Sequence, residues 1–470
     1  MSHLLRTVFR SRVTVPLTRP VVSRRTYSIA AAQPASTTAS APPKHTTSND
    51  TLPQLETPVP DNIKLQPKRL SIGSQGNWYL YTLLRDSCKC PTCVDQHSKQ
   101  RNFRTTDIPA DIRPRSLKWV DGKLEVQWAN DIKGYNDAHT STYDPAVLRN
   151  PTAIARRGDG GLSRKRVTWN RETMRQVQHW ISYEDYVNDE AKFATAMHQL
   201  ALTGLIFVKD IPDSREMVEK IATRMGPLRN TFYGPTWDVR SVPQAKNVAY
   251  TNVFLGFHMD LMYMNEPPGF QLLHCLQNSC DGGESLFVDG FYIARRLALT
   301  NPAAYRRLTQ LRLNYEYNHQ EHKYNNQWPV FEVDPAVPDR LLHINYSPPF
   351  QGPLHHSHQD ADRLEPQLKA LREFSDLLED ERNTFELKLN PGECVIFENR
   401  RVLHARRQFN TASGYRWLAG AYVDEDAVVS QFNVSRSKQK DGWYSVPPGV
   451  AEFTNARLAA KATRRGKKDA

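Results

Sequence analysis

The chain has 470 residues, a net charge of +12 and a pI near 9.3, enough length for two or three domains. Its charge sits at the ends: residues 1–49 carry seven basic side chains and no acid, residues 457–470 carry six and one, and the body between is close to neutral. A nucleic-acid-binding domain would carry its basic patch on the fold, so that class is set aside, and no run approaches the roughly 18 apolar residues of a membrane span.

Residues 1–27 are rich in Arg, Ser and Thr, lack acids and lack a long apolar core, which suits a mitochondrial transit peptide and a matrix location rather than a secretory signal. The stretch RRTYS resembles a matrix peptidase site, with cleavage after Tyr27. Residues 28–60, dominated by Ala, Pro, Ser and Thr, are too poor in apolar side chains to pack and read as a disordered linker.

From 61 to 150 the pattern is short and strand-like. RLSIG, NWYLYTLL, SLKWV and KLEVQW read as strands of a small β-rich module, and Asp121-Gly122 joins the last two as a hairpin. Within it CKCPTC places Cys88, Cys90 and Cys93 close enough for three thiolates to bind one structural Zn²⁺. A fourth ligand is required; His97 would crowd the same short loop, whereas His139 could close the site from a second segment. Cys275, Cys280 and Cys394 lie in or beside apolar runs and read as buried thiols. Six cysteines in a chain of this length do not make a disulfide scaffold.

A polar, Arg-rich connection leads to the region 175–450, where helices and strands mix. DEAKFATAMHQLALTG reads as a helix ending at Gly204, and SREMVEKIATRMG as one starting at Ser214 and stopped by Gly226. Later, Leu364, Leu368, Leu371, Phe374 and Leu378 mark one face of an amphipathic helix. Around these lie short strands: VAYTNVF, FQLLHCL, ESLFVDG, RLLHINY, TFELKL, ECVIFEN, RVLHARR and RWLAGAYV. Many short strands without βαβ alternation favour an antiparallel barrel or jelly roll carrying helices. Residues 451–470 form a basic C-terminal tail.

One constellation in this region carries chemistry. A non-haem Fe(II) oxygenase needs two imidazoles and a carboxylate on one face of the metal. His258 and Asp260, spaced i and i+2 after the expected strand VAYTNVF, supply two ligands, and His404 in RVLHARR supplies the third from a distant strand. Arg416, twelve residues beyond His404, suits the carboxylate of a dicarboxylate co-substrate. His-x-Asp alone is weak, because His358 and Asp360 repeat the spacing in a polar stretch that reads as a loop.

Together LRDSCKCPTC, TFYGPTWDV, NVAYTN, FHMD, PPGFQLLHC, GGESLFVDGF, NPGECVIFENRRVLHARR and RWLAGAYVDED resemble the gamma-butyrobetaine dioxygenase and trimethyllysine dioxygenase family over about residues 70–440. This family is a branch of the taurine dioxygenase-like 2-oxoglutarate oxygenases. The resemblance implies a double-stranded β-helix (jelly-roll) catalytic domain, mainly β with helices, behind a small zinc-binding β domain. It implies zinc at Cys88, Cys90, Cys93 and His139, iron at His258, Asp260 and His404, and 2-oxoglutarate at Arg416 and Leu273. Tyr233, Trp237, Tyr250 and Tyr422 match the family's aromatic cage for a trimethylammonium group, with Asn247 as a polar neighbour; aromatic faces attract a cation that cannot donate hydrogen bonds. INYSPPFQG, with Ser347 and two prolines, departs from the family's pattern, as do Met259 and Leu261.

The expected activity is Fe(II)- and 2-oxoglutarate-dependent hydroxylation, with O₂ as co-substrate and ascorbate as reductant, of a betaine: first gamma-butyrobetaine to L-carnitine, then trimethyllysine or another betaine. A catalytically silent mitochondrial binding or assembly protein on the same fold is the alternative from another class. The family suggests a homodimer.

Overall fold

The computed structural model describes residues 52–58, 63–72, 77–144, 166–240, 251–335, 337–354 and 361–438. The stretches read as transit peptide and C-terminal tail fall outside them, as do most of the linker, Asn247, Tyr250, His358 and Asp360. Contacts divide the chain into two compact units between Pro145 and Ala146.

The first unit holds two small sheets. Ile63–Gln66, Arg69–Ile72 and Asn77–Leu80 form an antiparallel three-stranded sheet. Pro114–Val120, Lys123–Trp128 and Thr140–Tyr143 form the second, joined at one edge by Gln54–Leu55 in parallel pairing with Ser116 and Leu117. That edge strand lies in the stretch expected to be linker. Asp121 and Gly122 both take positive φ (49° and 74°), as the two-residue hairpin turn between the expected strands requires. Alternation then buries Leu124, Val126 and Trp128 on one face. NWYLYTLL behaves differently from its reading as one strand. It pairs only to Leu80 and turns into a helix, Tyr81–Asp86, whose buried Tyr81, Leu84 and Arg85 recur at helical spacing.

Two sheets build the second unit. The larger has the order Thr236–Arg240, Arg416–Val423, Phe270–Asn278, Glu393–Glu398, Leu205–Lys209 and Trp180–Ser182, antiparallel except for the last pair. The smaller has the order Leu255–His258, Val402–Arg406, Ser285–Asp289 and Phe385–Leu387, antiparallel throughout. Strand alternation sorts the side chains. Leu272, Ile396 and Ala421 meet the helices Glu190–Thr203, Met217–Met225 and Glu425–Lys438. Their neighbours Val395, Phe397 and Leu418 face the other way, against Phe287 and Val402 of the smaller sheet. The two sheets therefore face each other across an apolar layer.

Glu190–Thr203 begins where the Asp189 carboxylate accepts the backbone N–H groups of Ala191 and Lys192, and ends at Gly204 in the left-handed region, as expected. Met217–Met225 starts a turn later than Ser214, because Ser214–Glu216 form a separate turn before it. VAYTNVF is not a strand where it is described: Thr251–Phe254 is irregular, with Val253 and Phe254 exposed, and pairing starts at Leu255. On the helix Ala361–Glu379, Phe374 and Leu378 are buried and Leu364 and Leu371 are packed at the core, but Leu368 faces solvent and Ala370 takes the core position instead. At the centre of the unit Arg401 and Asp289 form an ion pair with neither side chain exposed (3.1 Å). Asp289 also caps the helix Gly290–Thr300 through the Phe291 N–H, and Arg401 donates to the carbonyls of Leu202 and Val167.

Candidate active site

The Val402–Arg406 strand lies between Leu255–His258 and Ser285–Asp289, with His404 directly opposite both His258 and Phe287. This register brings together side chains far apart in the chain. The His258 and His404 rings stand 4.1 Å apart. His258 donates from Nδ1 to the Gly256 carbonyl (2.8 Å), which leaves Nε2 as the lone-pair nitrogen, 3.4 Å from Asp260 Oδ1. His404 Nε2 is 4.0 Å from the same oxygen. Burial, and then the neighbouring His258, pushes the His404 imidazolium down to about 3, so the ring is neutral at physiological pH. Burial alone would raise the Asp260 carboxyl, but the adjacent His258 and His404 side chains and the Tyr422 hydroxyl outweigh it and hold it well below the ordinary carboxylate range. Two imidazoles and one carboxylate oxygen facing one point are the donor set of a facial iron triad, and these residues fit that metal.

Asp260 sits beyond the strand end, and its backbone is held by a residue the sequence reading passed over. Asn399, fully buried, accepts the Asp260 N–H (2.9 Å) and donates to the carbonyls of Asp260 (3.1 Å) and Pro268 (3.0 Å). The next residue, Leu261, takes a left-handed backbone (φ 57°), uncommon for a side chain of this size. Tyr422 donates its hydroxyl to Asp260 Oδ2 (2.5 Å).

A cavity of about 820 Å³, part of it open to solvent, contains all three candidate ligands. Along the Arg416–Val423 strand, Arg416, Leu418 and Tyr422 line it at even spacing, so Arg416 and Tyr422 are about 20 Å apart along the strand. At the Arg416 end the guanidinium is buried, its Nε has no hydrogen-bond partner, and no carboxylate lies within ion-pair distance of it among the described residues. Burial pushes it down to about 10, so it stays protonated at neutral pH. Arg406, also buried, lines the same end; the Phe409 ring lies 5.0 Å from Arg406 and 5.7 Å from Arg416. Leu273 lines the cavity on the adjacent strand, with Gln271 two residues before it.

The other end is aromatic: Tyr233, Trp237 and Tyr422 all reach the cavity, with Leu261 and Phe350 beside them. Trp237 and Tyr422 are stacked on one another, centroids 4.0 Å apart and planes 27° from parallel, so nothing enters between them and they offer one composite wall. The sequence reading missed Arg406, Gln271 and Phe350. Arg406 was open to discovery, since i+2 from His404 on a strand must share its face.

In the first unit Cys88, Cys90, Cys93 and His139 converge, and His97 stays exposed elsewhere. His139 Nε2 lies 3.3 Å from the sulfurs of Cys90 and Cys93 and 3.8 Å from that of Cys88. A tetrahedral zinc with ordinary bond lengths has edges of roughly 3.5 Å between nitrogen and sulfur, so the four atoms fit it. Behind His139, Asp131 accepts from Nδ1 (2.5 Å) and from Arg85 (2.6 Å), while Arg85 also donates to Cys93 Sγ (3.3 Å). This carboxylate–imidazole pair is the outer support usual at zinc sites, and neither Asp131 nor Arg85 was singled out in the sequence. Although burial opposes it, Asp131 and then Cys88 raise the His139 imidazole to about 10 in the metal-free protein.

A profile of the Taurine catabolism dioxygenase TauD, TfdA family matches residues 171–422, and a Gamma-butyrobetaine hydroxylase-like, N-terminal profile matches residues 68–149. The chain belongs to the TauD/TfdA family and is a 2-oxoglutarate-dependent dioxygenase; the facing sheets are that family's jelly-roll arrangement. Among its relatives, "Dioxygenase str8" of Strobilurus tenacellus is 35% identical over 74% of this chain and 83% of its own. The gamma-butyrobetaine dioxygenase of Pseudomonas sp. (strain AK-1) is 32% identical over 75% of this chain and 88% of its own. A mitochondrial trimethyllysine dioxygenase of Rattus norvegicus is 28% identical over 74% of this chain and 81% of its own. No described helix is long and apolar enough to cross a membrane.

Proposed function

We propose that the protein hydroxylates a trimethylammonium substrate with Fe(II) at His258, Asp260 and His404, the first candidate being gamma-butyrobetaine, converted to L-carnitine. The observation that carries this reading is the sharing of one cavity by that triad, the buried cation Arg416 and the aromatic side chains Tyr233, Trp237 and Tyr422. Bound there, Fe(II) with 2-oxoglutarate and O₂ supplies the oxidant for an unactivated C–H bond, the co-substrate leaving as succinate and CO₂. The chain's own residues bind and orient. Arg416 neutralises the distal carboxylate of 2-oxoglutarate, and Leu273 packs beside it. The aromatic end takes the trimethylammonium group on ring faces and excludes water from the reacting carbon. Asn247 and Tyr250, which match the family's cage in sequence, lie outside the described residues.

Ascorbate serves as the reductant that keeps iron ferrous. Cys88, Cys90, Cys93 and His139 hold a structural zinc, which has no open position for a reactant. The basic, acid-free residues 1–27 direct the chain to the mitochondrial matrix, where it acts as a homodimer. The relatives named trimethyllysine dioxygenase support trimethyllysine as the second substrate reading. Incubation of purified protein with Fe(II), ascorbate, 2-oxoglutarate and each betaine, measuring succinate and hydroxylated product together, tests both. Coupled product with gamma-butyrobetaine is the expected result; succinate formation stimulated by no trimethylammonium compound would overturn it.

A further inference from the structure

The side chain of Asp260 has two oxygens in different surroundings. Oδ1 faces the imidazole nitrogens, 3.4 Å from His258 Nε2 and 4.0 Å from His404 Nε2. Oδ2 faces away from them and takes the Tyr422 hydroxyl at 2.5 Å. A hydroxyl donating to a carboxylate is a strong, charge-assisted bond, and Tyr422 is almost fully buried, so water does not compete for it. Asn399 fixes the backbone of Asp260 but leaves rotation of the carboxylate free; among the described residues only the Tyr422 hydroxyl hydrogen-bonds Oδ2.

The phenol is itself held in place. Its ring stacks on Trp237, and Trp237 fits because the intervening residue of the strand is Gly420, where a Cβ would lie 2.4 Å from the indole. The chain Gly420, Trp237, Tyr422, Asp260 thus runs from a strand of the larger sheet to the ligand set carried by the smaller one.

We propose that Tyr422 is a positioning residue for the metal: its hydroxyl engages Oδ2 of Asp260 and so presents Oδ1 as the single ligand oxygen. This rests on the assignment of Fe(II) to His258, Asp260 and His404. It separates two functions of one side chain, since the ring belongs to the aromatic wall and the hydroxyl to the metal site.

Tyr422→Phe removes the hydroxyl and keeps the ring. The test is anaerobic titration of the apoprotein with Fe(II), and with Co(II) followed by its visible absorption, in wild type, Tyr422→Phe, Tyr422→Leu and His404→Ala; the zinc-loaded cysteine site is silent in the absorption readout. Thermal melting of each apoprotein confirms folding. Loss of one outer hydrogen bond to a ligand weakens metal affinity about 10- to 100-fold. Tyr422→Phe is expected to bind Co(II) that much more weakly, with a shifted spectrum. Tyr422→Leu is expected to lose metal affinity at least as far. Equal Co(II) affinity and spectrum in wild type and Tyr422→Phe would overturn the proposal and leave Tyr422 as a cage wall alone. Failure of the iron assignment looks different: His404→Ala would then bind Co(II) as wild type does.

Discussion

Among the described residues no carboxylate lies within ion-pair distance of Arg416, and its burial is a cost the folded protein bears in exchange for co-substrate binding. Arg416→Met should therefore leave the melting temperature unchanged or higher while raising the KM for 2-oxoglutarate by roughly 10- to 100-fold, the loss of a charged hydrogen-bonded pair. Steady-state kinetics in 2-oxoglutarate and differential scanning fluorimetry measure the two effects. At the cysteine cluster, Asp131→Asn keeps the shape behind His139 and removes the charge, and zinc should then be released about tenfold more readily to a competing chelator. Residues of this kind divide by how local their signal is. His258, Asp260 and the three cysteines sit in short motifs, and His404 was legible once a third ligand was required. Asp131 lies in no motif, and Arg85 and Asn399 lie in quoted motifs without a role readable there, because their partners lie 8 to 139 positions away and only the fold supplies the proximity.

At the scale of elements, the Arg416–Val423 strand does two jobs, presenting cavity residues on one face and core residues on the other. Gly420 lies on the cavity side, where a Cβ would meet the Trp237 ring at 2.4 to 2.8 Å. Gly420→Ala should fold and bind zinc normally but displace Trp237 from Tyr422, seen as changed tryptophan fluorescence and a betaine KM raised several-fold, with the KM for 2-oxoglutarate little altered. Asp289 ties the Ser285–Asp289 strand to the helix after it and to Arg401. Asp289→Ala removes the nearer counter-ion of the buried Arg401 guanidinium, leaving Glu398 at 3.8 Å, and should cost about 3 kcal/mol, measured by urea unfolding. Most strands and the helix ending at Gly204 were visible in the sequence, since alternation and caps are local. NWYLYTLL misled because its large apolar residues suit a strand or one buried helical turn equally, and packing of Tyr81 and Leu84 decides for the turn. Leu368 misled for a similar reason: heptad-like spacing drifts around a helix, and Ala370 faces the core in its place.

Over the whole second unit, a polar network joins distant parts of the chain. Glu332 accepts from Arg400 (2.6 Å) and lies 3.4 Å from His343, which in turn reaches Glu425 at the start of the last described helix. Burial would raise the Glu332 carboxyl, but His343 and Arg400 bring it down to about 2. The ionised group then adds stability that is complete above its ordinary value of 4.5 and is lost as the pH falls towards 2. Glu332→Gln should be less stable than wild type at pH 7 by on the order of 3 kcal/mol, and the difference should shrink steadily below pH 4, as followed by urea unfolding across that range. What no reading of single segments supplied is the order of strands in the two sheets, because neighbours such as Thr236–Arg240 and Arg416–Val423 are chosen by long-range pairing. The opposition of His258 and His404 across neighbouring strands carries a consequence for biosynthesis. His404 is translated about 150 residues after His258, so a nascent or truncated chain owns only a weak two-ligand half-site. Tight iron binding is therefore expected only after His404 has been made and the Leu255–His258 and Val402–Arg406 strands have paired, so retained iron should report that pairing.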